Sequence, residues 1–387
     1  MKNFFVIVLD GVGIGELPDA DKYNDQGSNT LYNMAEAVDG LDLPNLESLG
    51  LGNIESIKGL KKVEHPLASF GKMREISSGK DSTTGHWELA GLNVKTEFTY
   101  FPNGFSNEIV EKFLSETGCK GILGNKPASG TEIIEEYGKE HIETGYPIIY
   151  TSADSVFQIA AHEEVIPLQK LYDICLITRE KVLKYPLQVG RVIARPFVGK
   201  SGSLTRTKNR KDFSLDPPET TVLDILSEND ITTVGVGKIN DLFNYRGIKK
   251  QIITKSNEEG CEQLLNLSTA VVGSFIFINL VDFDVYFGHR NDPVGFAGKL
   301  KEFDTFLPKF LNRLDESDRL IITADHGNDP TTPSTDHSRE YVPLLYFRQN
   351  VIGKSLGIRK TFSDVAKTAA EFFNINNNLN GTSFLNE

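Results

Sequence analysis

The feature that most restricts the fold is an entirely apolar run close to the start of the chain, FFVIVL at residues 4–9, which an aspartate ends. A continuous run of β-branched and aromatic residues is typical of a parallel strand that is buried on both faces. Similar runs follow at residues 231–236, 271–281 and 320–324. Helical patterns separate them, the clearest after Pro293, where apolar residues recur every three or four positions. The alternation predicts an α/β fold with a mostly parallel sheet flanked by helices.

Acidic residues follow three of these predicted strands. They are Asp10 after the first, Asp282 and Asp284 after the third, and Asp325 after the last. Ligands of open α/β sheets bind outside the carboxyl ends of the strands, so these acids are expected to meet at one edge of the sheet. A single aspartate in such a place is more often a turn or helix-cap residue, whereas three together favour a metal site. Strand alternation sends Asp282 and Asp284 to the same face, so the spacing leaves both open as ligands.

Histidines repeat the pattern of the acids. The three concerned are His289, five residues after Asp284, His326, directly after Asp325, and His337, eleven residues further on. Carboxylate and imidazole without thiolate form a ligand set that suits Mn or Zn better than Mg or Ca alone. Two other histidines, His86 and His162, follow no acidic strand end and are expected to be structural.

A glycine-rich segment, GVGIG at residues 11–15, follows the first predicted strand. Glycines in this position suggest a dinucleotide-binding loop, but the G-x-G-x-x-G spacing fails because Glu16 stands in the place of the third glycine. Pro18 also occurs where the helix should run, and Asp10 would repel a pyrophosphate without a cation between them. The segment is therefore interpreted as backbone packed around a metal-bound carboxylate.

A hydroxyl-rich motif, KDSTTGHWE, occupies residues 80–88. In isolation such a segment is an ordinary helix N-cap. Beside divalent cations, a serine at a helix N-terminus has its alkoxide stabilised by the metal and the helix dipole, which activates the hydroxyl towards phosphorus. Ser82 is therefore the candidate nucleophile of a phosphoryl transfer, in which two metal ions could clamp the attacking and leaving oxygens.

Charge and composition limit the possible partners. The chain of 387 residues has a formal net charge of −12, which argues against broad binding to nucleic acid or to an anionic membrane but permits a local basic pocket for a small phosphorylated metabolite. The longest apolar stretch, residues 270–281, is too short to span a bilayer, and residues 4–9 are too short for a signal peptide. Three scattered cysteines indicate neither a disulfide framework nor a cysteine-rich zinc site. We expect a cytoplasmic protein with no obligate protein partner.

The middle of the chain differs from the rest in its composition and its apolar pattern. Between residues 98 and 218 it is broken by glycine- and proline-rich segments, yet it contains strand-like runs at residues 148–150 and 188–193. It is interpreted as an inserted α+β domain, so that residues 1–97 and 219–387 form the core. This segment also concentrates arginines that, taken alone, are typical of surface charges, namely Arg191, Arg195, Arg206 and Arg210.

Several segments together resemble the phosphopentomutase family of the alkaline phosphatase superfamily. They are spread over essentially the whole chain: DGVGIG, GKDSTTGHWELAG, NKPASGTEI, YTSADSV, IAAHEEV, RVIARPFVG, NLVDFDVYFGHR, ITADHGNDPTTP and TDH at residues 335–337. Metal motifs alone would indicate only the superfamily, but NKPASGTEI and RVIARPFVG belong to the insert of this family. The resemblance is therefore specific.

The resemblance implies an isomerase that interconverts (deoxy)ribose 1-phosphate and (deoxy)ribose 5-phosphate through a phosphoenzyme. It further implies an alkaline phosphatase-like core, a cap domain, two divalent metal ions, expected to be Mn²⁺, and a sugar bisphosphate activator. One ion would be held by Asp284, His289 and His337, and the other by Asp10, Asp325, His326 and Ser82, with Asp282 beside the ligands. The residues for the sugar phosphate would be Ser152, Asp154, Arg191 and Arg206 of the cap and Lys238 of the core.

The chain departs from the family at the nucleophile. The family usually has threonine in the pattern T-x-x-G-H, whereas this chain reads STTGH at residues 82–86. Related mutases use serine there, so Ser82 is expected to act, and Thr83 and Thr84 stay alternatives.

Two other functions are compatible with the same core. One is a phosphoglycerate mutase-like enzyme or a plain phosphohydrolase, which the resemblance of the inserted segment disfavours. The other is a non-catalytic metal-dependent binding protein, for which a complete ligand set together with a nucleophile would be superfluous.

Overall fold

The structure is a computed structural model that describes residues 2–152, 155–184 and 187–387. It divides the chain into two compact units: unit 1 comprises Met1–Lys95 and Pro217–Glu387, and unit 2 comprises Thr96–Asp216. Unit 2 is therefore inserted in the sequence of unit 1. The catalytic and substrate-binding roles assigned to the two parts of the chain stay predictions.

The strands of both units are short. In chain order they are β1 (Phe4–Leu9), β2 (Ala68–Met73), β3 (Leu123–Pro127), β4 (Ile148–Thr151), β5 (Val156–His162), β6 (Arg191–Val198), β7 (Thr205–Arg206), β8 (Lys211–Ser214), β9 (Thr232–Val236), β10 (Lys250–Ile252), β11 (Ser274–Leu280), β12 (Arg319–Thr323), β13 (Val342–Phe347) and β14 (Ser355–Arg359). The predicted strand at residues 188–193 is wrong in its bounds, because the strand begins only after Gly190 and runs on to Val198. Arg195 and Pro196 interrupt the apolar run in the middle of the strand and conceal its length in the sequence.

The helices connect these strands. They are α1 (Thr30–Ala37), α2 (Pro44–Leu49), α3 (Leu51–Ile54), α4 (Ser82–Leu89), α5 (Asn107–Thr117), α6 (Glu132–Thr144), α7 (Leu168–Ile177), α8 (Val222–Glu228), α9 (Ile239–Leu242), α10 (Asn257–Ala270), α11 (Pro293–Leu311) and α12 (Asp364–Phe372). Single 3₁₀ or π turns occupy Ala20–Tyr23, Thr178–Val182, Phe283–Phe287 and Gly288–Arg290. Among the described residues, no helix is both long and apolar enough to cross a bilayer.

The large sheet of unit 1 has the strand order β10-β9-β11-β1-β12-β13-β2-β14. The strands from β10 to β12 are parallel, while β13 is antiparallel to both of its neighbours. Strand β1 lies near the middle, with Val6 opposite both Phe277 and Ile321, and every residue of the strand is buried. Its continuous apolar run is thus explained by neighbours on both sides and helices on both faces.

Helix α11 covers this sheet with the apolar stripe that the sequence predicts. Asp292 caps its N-terminus by accepting a hydrogen bond from the Gly295 N–H at 2.9 Å, and Pro293 takes the first helical position. The buried residues recur at three- and four-residue steps: Phe296, Leu300, Phe303, Leu307 and Phe310. The apolar stripe therefore faces the core, as its spacing requires.

Unit 2 has a sheet of its own, in the order β3-β4-β5-β6-β7, with β8 paired to β6. One face is covered by a core that includes Phe113 of α5 and Leu171 of α7. The other face packs against α6 through a smaller cluster that includes Ile133, Tyr150 and Phe197. Since α6 is a single helix, this smaller cluster leaves room for polar residues on the same face.

Candidate active site

The carboxyl ends of four neighbouring parallel strands supply the polar residues of the site. Strands β9, β11, β1 and β12 lie side by side in the large sheet. The residues that follow them are Lys238, Asp284, Asp10 and Asp325, respectively. Parallel strands end at the same edge of a sheet, so side chains far apart in the sequence come together there.

Asp10, Asp325 and His326 form one of two groups whose ligand atoms lie within 4.8 Å of one another. The His326 Nε2 atom lies 3.3 Å from Asp10 Oδ1 and 3.3 Å from Asp325 Oδ2, and all three residues are buried. Burial alone would lower the pKa of His326, but the two aspartates raise this pKa to about 10. The two carboxylates therefore favour positive charge at this position.

Asp284, His326 and His337 form the second group, and His289 lies beside it. The Asp284 Oδ2 atom lies 3.2 Å from His289 Nε2, and the Asp284 Oδ1 atom lies 3.4 Å from His337 Nε2. Burial acts to raise the pKa of Asp284, but the two histidines bring this pKa well below its usual range. His326 is also within 4.8 Å of Asp284 and His337, so it lies within reach of both groups. The family resemblance implies that it belongs with Asp10, Asp325 and Ser82.

The donor atoms at this edge suit divalent metal ions. Asp10, Asp284 and Asp325 are each at most 1% exposed, so three carboxylates share a small volume from which water is excluded. Among the described residues, Asp10 Oδ1 and His337 Nε2 are buried atoms without a hydrogen-bond partner. A buried polar atom without a partner is costly, and cations bound to the two groups would satisfy both atoms. Carboxylate and imidazole are also the ligand types expected for Mn or Zn.

Ser82 is the first residue of α4, and its hydroxyl lies beside the first ligand group. The Asp81 side chain caps the helix by accepting the backbone N–H groups of residues 83–84 at 3.0 and 3.1 Å. The Ser82 hydroxyl is therefore not used as a cap, which answers the alternative that the motif is an N-cap only. It accepts a hydrogen bond from Lys238 Nζ at 2.7 Å, and its Oγ lies 3.2 Å from His326 Nε2.

Lys238 connects the serine to the carboxylates. Its Nζ atom also lies 3.3 Å from Asp10 Oδ2. Burial acts to lower the pKa of Lys238, but the aspartates at this edge raise it, so the ammonium group stays charged. A charged donor at this distance stabilises negative charge that develops on Ser82 Oγ.

Two further residues, His86 and Asn279, hold the carboxylates in place, and the sequence reasoning did not assign them to the site. His86 Nδ1 faces two acceptors, the Ser82 carbonyl at 2.7 Å and Asp325 Oδ2 at 3.1 Å, so Nδ1 carries the hydrogen. Asn279 then donates to His86 Nε2 at 3.1 Å and to Asp10 Oδ2 at 3.0 Å. His86 belongs to neither ligand group, but it orients one of the ligands. The available signal was its position one helical turn after Ser82.

The loops around the ligands provide further support. Asn328, two residues after His326, donates to Asp284 Oδ1 at 2.7 Å. The Gly11 N–H donates to Asp325 Oδ1 at 3.2 Å, and a Cβ on Gly13 would overlap the buried Glu340 carboxylate. The glycines at residues 11–15 thus allow the backbone to approach carboxylates closely.

Unit 2 presents a cationic face on its own sheet. Tyr150 pairs with Gln158 and Gln158 pairs with Ile193, so alternation places Arg191 and Arg195 on the same face as Tyr150. A cavity of about 710 Å³ opens there; its lining includes Thr131, Arg195, Thr205, Arg206, Thr207 and Arg210. The Tyr150 hydroxyl is buried without a hydrogen-bond partner among the described residues. Burial raises the pKa of Tyr150, while the neighbouring arginines oppose this rise.

Four of the five residues predicted to bind the sugar phosphate belong to this unit, and the fifth, Lys238, lies beside Ser82 in unit 1. Ser152 directly follows β4 and Arg191 begins β6. The pairing of both strands with β5 puts the two residues at the same end of the strands. Arg206 is exposed on β7 opposite Phe197, towards the other end of β6, although its guanidinium reaches back beside Gly130 near the Tyr150 hydroxyl. Asp154 lies outside the described residues.

Comparison with known proteins extends these observations. The model of the metalloenzyme superfamily matches residues 2–377. A phosphopentomutase from Dictyoglomus turgidum is 58% identical over 100% of this chain and 98% of its own length, and one from Caldanaerobacter subterraneus is 55% identical over 100% and 98%. The structure of the PH0037 protein from Pyrococcus horikoshii is similar with a TM-score of 0.51 and 16% identity, over 98% of this chain and 99% of that chain. The predicted α/β fold, a mostly parallel sheet flanked by helices with an inserted α+β domain, is confirmed.

Proposed function

Because this chain belongs to the phosphopentomutase family of the metalloenzyme superfamily, we propose that it interconverts (deoxy)ribose 1-phosphate and (deoxy)ribose 5-phosphate through a phosphorylated Ser82. The enzyme is then a metal-dependent isomerase that moves a phosphoryl group between two positions of one sugar. The observation that carries the proposal is the position of the Ser82 hydroxyl, 2.7 Å from Lys238 Nζ and beside the buried aspartates.

Two divalent ions fit the ligand groups of unit 1. Asp284, His289 and His337 are proposed to hold one ion, and Asp10, Asp325, His326 and Ser82 the other. Bound there, the ions would supply Lewis acidity and neutralise the charge of the transferring phosphoryl group. The His326 ring nitrogen must be free of its proton to bind a metal ion. Metal binding therefore competes with protonation of this imidazole, which the neighbouring carboxylates favour. We expect Mn²⁺ because the donors are carboxylates and imidazoles.

In the proposed reaction, phosphorylated Ser82 donates its phosphoryl group to the free hydroxyl of the pentose monophosphate. The free Ser82 hydroxyl then takes the other phosphoryl group from the resulting bisphosphate, which releases the isomeric monophosphate and regenerates the phosphoenzyme. Lys238 and the N-terminus of α4 stabilise the serine oxygen as it loses its proton and again as it leaves. A sugar bisphosphate is the intermediate of such an exchange, which explains the proposed need for a bisphosphate activator. The bisphosphate must change its orientation between the two half-reactions, so the phosphate that is not being transferred needs a binding site of its own.

Unit 2 is proposed to bind this second phosphate. Its arginines offer planar, paired donors that match phosphate oxygens, and a cavity of about 710 Å³ has room for a sugar phosphate. Arg191 and Arg206 are the proposed contacts, with Ser152 and Asp154 for the sugar hydroxyls. The structure adds Arg195 and Arg210 to the candidates, because both line the same cavity as Arg206.

The test is incubation of the metal-loaded enzyme with ribose 5-phosphate and a catalytic amount of ribose 1,5-bisphosphate, followed by ³¹P NMR. Formation of ribose 1-phosphate supports the proposal. Release of inorganic phosphate alone indicates a phosphohydrolase on the same core. Absence of both reactions in metal-loaded, folded protein rejects an enzymatic role in favour of a metal-dependent binding protein.

A further inference from the structure

A buried arginine, Arg339, joins two loops of unit 1 that carry proposed site residues. It lies two residues after His337, and its side chain is only 3% exposed. Its Nη1 atom donates to the Gly79 carbonyl at 2.6 Å and to Glu75 Oε2 at 2.7 Å, while Nη2 donates to the Glu75 carbonyl at 3.2 Å. One guanidinium therefore holds three acceptors in the segment that leads to Ser82.

Gly79 is held on both sides by this arrangement. Its N–H donates to the Tyr23 hydroxyl at 3.1 Å, and its carbonyl accepts from Arg339. The Tyr23 ring also lies against the guanidinium, whose central carbon is 5.2 Å from the ring centroid. The φ of Gly79 is +129°, a conformation that other residues rarely adopt, and a Cβ there would lie 3.0 Å from Thr84 Oγ1. This peptide is consequently fixed in one position.

The constraint continues from this glycine to the nucleophile. Lys80 Nζ lies 3.1 Å from each carboxylate oxygen of Asp25, and Asp25 also accepts the backbone N–H of Arg339 at 2.9 Å. Asp81 then caps α4, and Ser82 is the first residue of that helix. Each residue between the arginine contact and Ser82 thus has a side-chain or backbone hydrogen bond that anchors it.

We propose that Arg339 is a positioning residue, which sets the place of Ser82 Oγ relative to Lys238 by fixing Gly79 and Glu75. The inference rests on the role proposed for Ser82. The planar guanidinium is essential because it bonds several acceptors in different directions at once, which a lysine ammonium on a flexible stem does not reproduce. A displacement of about 1 Å at a reacting group costs on the order of a hundredfold in rate.

Arg339→Lys tests the proposal in the full-length, metal-loaded enzyme. In rapid-quench experiments with labelled ribose 1,5-bisphosphate, we expect the rate constant for Ser82 phosphorylation to fall at least about tenfold, with unchanged metal content and a KM for ribose 5-phosphate within about twofold of wild type. Tyr23→Phe removes the hydroxyl on Gly79 but keeps the ring, so it should lower the same rate constant by a smaller factor. Arg359→Lys is the matched control. Its guanidinium is also part-buried in unit 1, 2.7 Å from Asp364, and its other hydrogen bonds go to Glu387 and the Thr382 carbonyl rather than to residues 75–81.

Hydrogen exchange provides a readout that does not need turnover. The peptide covering residues 77–84 should exchange faster in Arg339→Lys than in wild type and should be unchanged in Arg359→Lys. Wild-type phosphorylation of Ser82 in Arg339→Lys, or equal exchange in the two arginine variants, overturns the proposal. If Arg339→Lys does not fold, Tyr23→Phe decides by the same two measurements. Failure of the wild-type enzyme to phosphorylate Ser82 would refute the proposed function instead, and the exchange data would still show whether Arg339 fixes the segment.

Discussion

The first three residues of α4 all carry hydroxyl groups, and the contacts of Ser82 and Thr84 distinguish these two from each other. Ser82 Oγ receives the Lys238 ammonium at 2.7 Å. The Thr84 hydroxyl instead donates to Asp81 at 2.5 Å and takes part in the helix cap. Spacing alone could not make this distinction, because it depends on which hydroxyl the helical geometry turns towards the sheet edge. The contacts favour Ser82 as the nucleophile over Thr84.

If Ser82 carries the phosphoryl group, Ser82→Ala should abolish isomerisation while the thermal unfolding temperature stays close to that of wild type. Ser82→Thr should keep part of the activity, since the hydroxyl remains and only a methyl group is added. Mass spectrometry of peptides from the phosphorylated enzyme identifies the modified residue. Phosphate on Thr83 or Thr84 would contradict the assignment.

His337 gives a prediction about metal content. Its Nε2 atom is buried, lies 3.4 Å from Asp284 Oδ1 and has no hydrogen-bond partner in the part of the chain that the structure describes, so it is expected to be a ligand. His337→Ala should reduce the bound metal from about two ions to about one per chain and remove nearly all activity. Elemental analysis after gel filtration measures the ratio. His65→Ala, which removes an exposed histidine, is the control and should keep both ions.

Glu340 makes the stability of unit 1 dependent on pH. Burial raises its pKa from an ordinary 4.5 to about 7, although Thr30 and Ser338 donate hydrogen bonds to it. Between these pH values the folded protein keeps a proton that the unfolded chain has lost, so the free energy of unfolding falls as the pH rises from about 4.5 to about 7. The expected loss is about 3 kcal/mol.

Glu340→Gln should remove this dependence, because an amide does not titrate. Urea unfolding of both proteins at pH 5 and pH 8 measures the difference. Wild type should lose stability relative to the variant at the higher pH. Parallel behaviour of the two proteins would show that the folded-state pKa of Glu340 is close to its ordinary value.

At the scale of secondary structure, the apolar runs were sufficient to predict the central strands. A strand buried on both faces leaves an uninterrupted apolar signature, and the acid that follows it marks the sheet edge. Polar residues inside elements gave no such signal. Asn279 lies within β11, where it reads as an interruption of an apolar run, and only the pairing of β11 with β1 brings it to Asp10. The local sequence pattern does not reveal long-range pairing of this kind.

Contacts between helices also contribute to the stability of unit 1. Helix α2 begins without a side-chain cap of its own, and Asp304 of α11 supplies one by accepting the N–H groups of Asn45 and Leu46 at 3.1 and 2.7 Å. Asp304→Ala leaves these groups without that acceptor and should lower the free energy of unfolding by about 2 kcal/mol. Asp304→Asn, which keeps an acceptor oxygen, should lose less. Isomerase activity per folded molecule should stay unchanged in both, as denaturation curves and metal-loaded assays can verify.

At the scale of the whole chain, the sequence inserts unit 2 between the strands that build the metal site. A mutase must transfer the phosphoryl group to a sugar hydroxyl although water is present at about 55 M, so the site has to exclude water while substrate is bound. The proposed division of labour gives the transferring phosphoryl group to the aspartates and Ser82, and the other phosphate to the arginines of unit 2. In an enzyme built in this way, substitutions in unit 2 should impair isomerisation without impairing the hydrolysis of a simple phosphate ester.

Arg191→Ala and Arg206→Ala should therefore reduce kcat/KM for ribose 5-phosphate isomerisation by about tenfold to a hundredfold, the loss expected for one charge-assisted hydrogen bond. Hydrolysis of p-nitrophenyl phosphate should change by less than about twofold, because that substrate has no second phosphate to bind. Lys139→Ala, which removes an exposed cation from the same unit, should change neither reaction. If both reactions fall by the same factor in the arginine variants, these residues support folding or the metal site, and the substrate-binding role proposed for unit 2 is wrong.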